Sequence, residues 1–183
     1  MRSAVFLDRD GVLNKAEVRN GKPYAPRDVE SFQLLPDVLS SIKSLHEAGL
    51  LLIVVTNQPD VGNGFVSQSI IEKMHNILFE SLPIDAIKVC FHSQTDKCFC
   101  RKPRPGMLIE ASKEWNIDLT KSFMVGDRWN DVATGRSQGC YTIFIDRGYS
   151  ETLKELPDAT VKSFAEATEL IMSIIVNRGI EGK

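Results

Sequence analysis

Four short polar segments of the sequence each follow a stretch of apolar residues. They are Asp8-Arg9-Asp10-Gly11, Thr56-Asn57-Gln58, the basic residue Lys102, and Gly126-Asp127-Arg128 with Asp131 one helical turn later. In a sheet of parallel strands the functional loops follow the carboxyl ends of the strands, so segments of this kind meet at one edge. A single aspartate after a strand is more often a turn or cap residue. Four polar segments expected at the same edge instead indicate a catalytic site.

The first segment carries the residue types that phosphoryl transfer needs. A carboxylate such as Asp8 can attack phosphorus and form an acyl phosphate, which water cleaves in a second step. Asp10 can protonate the leaving group as a general acid and then activate the water as a base. We therefore predict a phosphatase with Asp8 as nucleophile and Asp10 as acid/base.

A negatively charged nucleophile needs a cation to approach a phosphate. Mg²⁺ prefers oxygen ligands and can bridge the two groups. Asp8, Asp127 and the backbone carbonyl of Asp10 are the predicted magnesium ligands. Lys102, Thr56 and the loop amides suit the charge on the transferred phosphoryl oxygens.

Apolar, β-rich runs alternate with helical patterns along the chain. We predict strands over residues 4–7, 51–55, 87–91, 122–125 and 141–145. Helical spacing covers residues 38–45, 70–78, 107–115, 130–137 and a tail helix that opens with a capping-box pattern at Ser163 and runs towards Ile175. Residues 15–36 resemble a loop or flap over the first strand. The alternation predicts an α/β fold, a Rossmann-like parallel sheet flanked by helices.

The size and charge of the chain narrow its class. A length of 183 residues fits one compact domain, and we predict a single domain over residues 1–183. The first apolar run is too short for a signal peptide or a membrane span, so a cytoplasmic enzyme with no membrane partner is expected. A net charge of -2 and a pI near 5.9 argue against a nucleic-acid partner. We expect a monomer.

A second cluster of metal-ligand types lies apart from the aspartates. Cys90, His92, Cys98 and Cys100 fall within eleven residues, and Cys-X-His and Cys-X-Cys pairs can turn alternate side chains to one side. Tetrahedral zinc accepts such a set, and with all four positions filled the site would be structural. Free thiols with a surface histidine are the alternative. Cys140, in an apolar run, is predicted as a buried free thiol.

The polar segments together resemble the haloacid dehalogenase superfamily of aspartyl-phosphate phosphatases. The resemblance covers most of the chain and implies that the first aspartate is the nucleophile and the second the acid/base. Many members carry a separate cap domain. The intervals from Asp8 to Thr56 and from Thr56 to Lys102 are each under fifty residues and already contain a helix and a strand. We therefore expect no cap domain and an open site.

The zinc-type loop before Arg101-Lys102-Pro103 is similar to that of two families in the superfamily. These are the D-glycero-D-manno-heptose 1,7-bisphosphate 7-phosphatases and the histidinol-phosphate phosphatases. Residues 100–108 favour the heptose enzymes, which implies removal of the 7-phosphate of a phosphorylated sugar in nucleotide-activated heptose and lipopolysaccharide biosynthesis. The short loop is closer in length to the histidinol-phosphate enzymes, and Val61-Gly62-Asn63-Gly64 replaces the Ala-Arg-Gly often found in the heptose enzymes.

The resemblance also implies a set of substrate contacts. The predicted substrate-binding residues are Arg9, Asn14, Thr56, Asn57, Gln58, Arg101, Lys102 and Arg128, with Asp10 as the acid/base that meets the substrate. A second phosphate needs further cations, and Lys22 and Arg27 are available. His46 and His75 are interpreted as surface or boundary residues without a role.

Two readings from other classes compete with a small-molecule phosphatase. A receiver-type signalling domain also combines acidic residues, threonine, lysine and magnesium, but its phosphoacceptor follows a middle strand, whereas the third strand here leads to cysteines. A polynucleotide end-processing phosphatase shares the same core, but the acidic pI and the absence of an aromatic-basic groove weigh against it.

Overall fold

The structure, a computed structural model, describes residues 1–178. Its strands are β1 (Ala4–Leu7), β2 (Glu17–Arg19), β3 (Lys22–Tyr24), β4 (Leu51–Asn57), β5 (Ala86–Cys90), β6 (Phe123–Gly126), β7 (Tyr141–Ile145) and β8 (Ala159–Val161). Its helices are α1 (Val38–Glu47), α2 (Pro59–Gly62), α3 (Gln68–Ser81), α4 (Gly106–Trp115), α5 (Trp129–Ser137) and α6 (Phe164–Arg178), with a 3₁₀ turn at Leu119–Lys121.

Six of these strands form one parallel sheet in the order β5-β4-β1-β6-β7-β8. In the centre, β1 pairs with β4 on one side, Leu7 opposite Val54, and with β6 on the other, Leu7 opposite Val125. Because all strands are parallel, the loops after β1, β4, β5 and β6 leave the sheet at the same edge. This topology brings the four polar segments together.

The central strands are buried on both faces, as their continuous apolar runs predict. One face of the sheet packs against α1, α3 and α6 through side chains such as Val54, Ile42 and Phe164. The other face packs against α4 through Phe6, Ile53 and Leu108. Because helices cover both faces of the sheet, a ligand can reach it at the edge formed by the carboxyl ends of the strands.

The α/β class and the parallel sheet are confirmed, and the differences lie at the periphery. The predicted flap over residues 15–36 contains the antiparallel hairpin β2–β3. The short edge strand β8 and the helix α2 were not predicted. Between β1 and β5, the described chain carries this hairpin, β4 and the helices α1, α2 and α3, with no inserted cap domain. Within residues 1–178, the helices are all too short or too polar to cross a membrane.

Candidate active site

The loop that leaves β1 carries the two predicted catalytic aspartates. The amide of Asp8 still donates to the carbonyl of Val125 at 3.0 Å, which fixes the start of the loop to β6. Gly11 turns the chain with φ +85°. A Cβ atom at Gly11 would lie 1.8 Å from Oδ2 of Asp127, so only glycine lets the two loops approach this closely.

Three carboxylates meet below this loop. Oxygens of Asp8, Asp127 and Asp131 all lie within 4.8 Å of one another, and the three residues are buried. Within residues 1–178, neither oxygen of Asp127 accepts a well-formed hydrogen bond. Buried carboxylates without enough donors are costly, which makes the group a fit for a divalent cation.

The same crowding perturbs the acidity of these groups. Burial, followed by the neighbouring charge of Asp131, raises the pKa of Asp8 to about 7. Burial and the charges of Asp8 and Asp131 raise the pKa of Asp127 well above its usual range, while Tyr149 acts in the opposite direction. Asp131 also caps α5, since its Oδ2 accepts from the amide of Arg128 at 3.1 Å. The sequence indicated Asp131 as part of the acidic motif beside Asp127 and not as a cap, although an acidic residue in the first turn of a helix is a recognisable capping signal.

Lys102 is buried among these carboxylates. Its Nζ lies 2.9 Å from Oδ1 of Asp8 and 2.6 Å from Oδ1 of Asp131, and it donates to the carbonyl of Val55 at 2.7 Å. Burial alone would lower the pKa of Lys102, but the charges of Asp131 and Asp8 outweigh it and the pKa is raised. The ammonium group therefore stays charged beside the predicted nucleophile.

The end of β4 and the residue after it, Gln58, contact both Asp10 and Lys102. The side-chain nitrogen Nε2 of Gln58 donates to Oγ1 of Thr56 at 2.9 Å and to Oδ2 of Asp10 at 2.8 Å. The side chain of Asn57 exchanges two hydrogen bonds with the backbone of Lys102, at 3.1 and 3.0 Å. Of these residues, Asn57 lines the open cleft, whereas Thr56 and Gln58 are buried beside it.

Arg9 and Asn14 lie beneath the cleft rather than in it, unlike the substrate contacts expected from the sequence. Both are fully buried. Arg9 donates to the two oxygens of Asp10 from Nε and Nη2 at 3.0 to 3.2 Å, and Asn14 donates to Oδ1 of Asp10 at 2.9 Å. Their side chains do not reach a substrate because their donor groups are bound to the carboxylate of Asp10.

His75, interpreted from the sequence as a surface or boundary residue, is buried in the structure. It lies on α3, and its Nε2 is 3.3 Å from Nη1 of Arg9. Burial and the charge of Arg9 lower the pKa of His75 to about 4. Its position four residues after Ile71, on the apolar stripe of the helix, is the sequence signal that indicates burial.

A cleft of about 310 Å³ opens above the carboxylates. The hairpin β2–β3 forms one wall with Lys22 and Tyr24, and Arg101 and Arg128 contribute further positive charge. Arg128 also makes a bidentate ion pair with Glu151, at 2.7 and 3.0 Å. Arg27 forms an ion pair with Asp60 at 2.7 Å. Asp60 lines the cleft, but Arg27 does not.

The cysteine-histidine cluster assembles at the end of β5. Sγ of Cys90 lies 3.7 Å from Sγ of Cys98 and 3.6 Å from Nδ1 of His92, and Cys100 lies 3.2 Å from both Cys90 and His92. All four cysteines of the chain are free thiols. Sulfur ligands on bonds of ~2.3 Å around a tetrahedral ion lie roughly 3.8 Å apart, so the cluster fits a small tetrahedral metal.

Comparisons with known proteins agree with this geometry. A family model described as HAD-hydrolase-like matches residues 99–167. The D-glycero-beta-D-manno-heptose-1,7-bisphosphate 7-phosphatase of Pasteurella multocida is 32% identical over 188 residues, which cover 95% of this chain and 99% of the relative. The chain belongs to the family of the heptose-bisphosphate phosphatases, within the haloacid dehalogenase superfamily.

Other members of the heptose-bisphosphate phosphatase family match as well. The enzyme of the same name from Pseudomonas aeruginosa is 32% identical over 87% of this chain and 91% of its own. The crystal structure of D,D-heptose 1,7-bisphosphate phosphatase from B. bronchiseptica, complexed with magnesium and phosphate, superposes with a TM-score of 0.81 at 25% identity, covering 94% of this chain and 99% of that one. The predicted superfamily and phosphatase class are therefore confirmed.

Proposed function

We propose that the protein hydrolyses the 7-phosphate of D-glycero-D-manno-heptose 1,7-bisphosphate through an aspartyl-phosphate on Asp8. The observation that carries the proposal is the carboxylate of Asp8 at the floor of a basic cleft, 2.9 Å from the buried ammonium group of Lys102. Relatives named for this reaction match over nearly the whole chain. A single domain over residues 1–183, a monomeric state and a cytoplasmic location stay predictions.

Asp8, Asp127 and the backbone carbonyl of Asp10 would hold Mg²⁺, with Asp131 beside them. When bound, the ion supplies charge compensation between the nucleophile and the phosphate. Within the described residues, neither oxygen of Asp127 accepts a well-formed hydrogen bond, which supports this assignment. Asp131 is held by Lys102 and by the amide of Arg128, so we assign it to the support of the site rather than to the predicted ligand set.

In the first chemical step, a carboxylate oxygen of Asp8 forms a bond to phosphorus as the bond to the sugar oxygen breaks. Asp10 gives a proton to the departing sugar oxygen and later removes one from the attacking water. Lys102 and the hydroxyl of Thr56 take up charge on the phosphoryl oxygens. Water then cleaves the aspartyl-phosphate, which returns the carboxylate of Asp8 and releases phosphate.

The second phosphate of the substrate requires positive charge away from Asp8. Lys22, Arg101 and Arg128 line the same cleft and supply it. Asn57 completes this wall, and we assign it to substrate binding. Arg9, Asn14 and Gln58 instead hold Asp10 from below, so we assign them to the support of the acid/base.

We further propose that Cys90, His92, Cys98 and Cys100 hold a structural Zn²⁺. Two residues after the cluster, the backbone of Lys102 is bonded to Asn57. The ion would therefore fix the loop that carries Arg101 and Lys102 to the site. Burial raises the pKa of the Cys90 thiol, and a bound metal would favour its thiolate form.

The decisive experiment is a substrate panel. It compares kcat/KM for both anomers of heptose 1,7-bisphosphate with histidinol phosphate and a 3′-phosphorylated oligonucleotide, and identifies the released phosphate by ³¹P NMR. One heptose anomer should exceed histidinol phosphate by at least ~100-fold, with the 1-phosphate left on the sugar. A preference for histidinol phosphate, or release of the 1-phosphate, would overturn the assignment.

A further inference from the structure

His75 is the one histidine that the described structure buries next to the catalytic loop. It lies on α3, and its Nε2 is 3.3 Å from Nη1 of Arg9, a residue 66 positions away in the chain. The guanidinium group of Arg9 has no solvent exposure and also contacts the face of Phe32, with 5.4 Å from Cζ to the ring centroid. A buried charged group of this kind needs a partner for each of its donors.

The chemistry of the pair fixes the role of each nitrogen. An arginine side chain has only donors, so Nε2 of His75 must accept and the proton of the neutral ring must be on Nδ1. A protonated ring would turn a second donor and a second positive charge towards Arg9. The lowered pKa of His75, about 4, agrees with a ring that stays neutral at physiological pH.

Arg9 transmits this contact to Asp10. Its Nε and Nη2 hold Oδ1 of Asp10 at 3.2 and 3.0 Å, and Nη2 also reaches Oδ2 at 3.1 Å. With Nε and Nη2 bound to the aspartate, Nη1 is the corner of the guanidinium group that faces His75. The orientation of the guanidinium plane of Arg9 therefore depends on its contacts with both His75 and Asp10. The orientation of the Asp10 carboxylate depends on that plane in turn.

A role in core packing alone does not explain why position 75 is a histidine. Its neighbours on the buried stripe of α3 are the apolar residues Ile71, Met74 and Leu78, and an apolar side chain would fill the same space. Such a residue would leave Nη1 of Arg9 without its acceptor inside the core. The buried donor would then favour another orientation of Arg9, and Asp10 would move with it.

We infer that His75 is a positioning residue for the acid/base Asp10, acting through Arg9 and not by contact with the substrate. This inference rests on the proposed function, in which Asp10 protonates the leaving sugar oxygen. An alkyl leaving group needs that proton, whereas p-nitrophenolate leaves as a stable anion without it. Misplacement of Asp10 should therefore slow the two ester classes unequally.

The test compares His75→Met, which keeps the volume and removes the acceptor, with His75→Gln, which restores a neutral acceptor at the same reach. His46→Met, on the exposed face of α1, is the matched control. For each protein, kcat/KM is measured with heptose 1,7-bisphosphate and with p-nitrophenyl phosphate, together with inhibition by inorganic phosphate. Thermal unfolding checks the fold.

For His75→Met, kcat/KM on the alkyl ester should fall about 10- to 100-fold, part of the 10² to 10⁴ that acid–base catalysis supplies. For the same variant, kcat/KM on the aryl ester and the inhibition constant for phosphate should both stay within about threefold of the parent values. His75→Gln and His46→Met should stay near the parent protein in all three measurements. Equal losses on both esters, equal losses in the Met and Gln variants, or no loss would overturn the inference. A parent protein that hydrolyses p-nitrophenyl phosphate but not the heptose ester would refute the substrate assignment alone, and histidinol phosphate would then serve as the alkyl ester.

Discussion

Nζ of Lys102 lies 2.9 Å from Oδ1 of Asp8 and 2.6 Å from Oδ1 of Asp131, and all three side chains are almost completely buried. Lys102 therefore compensates two carboxylates at once. This arrangement keeps the proposed nucleophile close to a positive charge and leaves Asp127 for the proposed magnesium ion. It also makes the stability of the protein depend on a residue of the active site.

Replacing Lys102 by methionine should be destabilising as well as inactivating. The substitution leaves Asp8 and Asp131 buried without their cation, and breaking a buried pair in this way costs about 3–5 kcal/mol. Urea unfolding without metal measures the loss. Adding Asp131→Asn to Lys102→Met should recover part of it. A single variant as stable as the parent would contradict the ion-pair network.

Replacing Asp8 by asparagine should have the opposite balance. Turnover should fall by at least ~10⁴-fold, because the amide cannot form an acyl phosphate. The metal-free protein should be as stable as the parent or more so, since the substitution removes a carboxylate whose burial raises its pKa to about 7. Activity and thermal unfolding are measured on the same preparation. Retained turnover would remove Asp8 as the nucleophile.

The central sheet and the acidic loops follow from local sequence patterns. The strands β1, β4, β6 and β7 are continuous apolar runs, and their predicted bounds agree with the structure to within about two residues. The hairpin β2–β3 escapes such reasoning because it is short, solvated and interrupted by Pro23. Its strands are stabilised by pairing with each other. They have no continuous apolar run that would predict them from the sequence.

The site was predictable where strand order or residue spacing brings its parts together, and not where only the packing of a helix does. Cys90 to Cys100 form a cluster within one loop, so the residue spacing was enough. Arg9 and His75 become partners only through the packing of α3 against the sheet. The sequence alone indicated Arg9 as a substrate contact and His75 as a surface or boundary residue. The bidentate contact of Arg128 with Glu151 is likewise tertiary.

Magnesium affinity should fall as the pH falls. Asp8, with a pKa of about 7, and Asp127, with a pKa raised well above its usual range, must lose protons to bind the ion. For Asp8 alone, the affinity at pH 6 should be about tenfold weaker than at pH 8. Calorimetry in two buffers of different ionisation enthalpy should detect the release of about half a proton near pH 7 from Asp8, and more if Asp127 also gives up a proton.

The raised pKa of Asp8 has the opposite effect on the stability of the metal-free protein, which falls as the pH rises. A folded-state pKa above the unfolded value means that the folded protein binds the proton more tightly. This part of the stability is complete below pH ~4 and is lost as the pH rises through about 7. The Tm gain from added Mg²⁺ should therefore grow between pH 5 and pH 8. A constant gain, with no proton release, would contradict a magnesium site built on these carboxylates.

Removing zinc should destabilise the loop that carries Lys102. Metal analysis of protein purified without chelator should find about one zinc per chain, and Cys98→Ser should lose it. Because folding and binding are coupled, we expect a loss of about 3 kcal/mol, or ~10 °C in Tm. Cys140→Ala, at a buried thiol outside the cluster, should keep the zinc. A zinc-free protein with unchanged Tm and activity would exclude the structural role.

The ion pair between Arg128 and Glu151 should limit the affinity for a second phosphate. Its two hydrogen bonds, at 2.7 and 3.0 Å, engage a guanidinium group that also lines the cleft. The pair is partly exposed, so it is worth at most ~1 kcal/mol. Glu151→Gln should therefore lower KM for heptose 1,7-bisphosphate by about three- to fivefold, with little change for the heptose 7-monophosphate.

The matched control for this last substitution is Glu155→Gln, whose partner Arg136 lies 3.7 Å away and does not line the cleft. It should leave both KM values unchanged. Arg128→Gln should raise KM for the bisphosphate more than for the monophosphate, because it removes the cation itself. If Glu151→Gln instead raises KM for the bisphosphate, Glu151 orients Arg128 for the phosphate and does not compete with it.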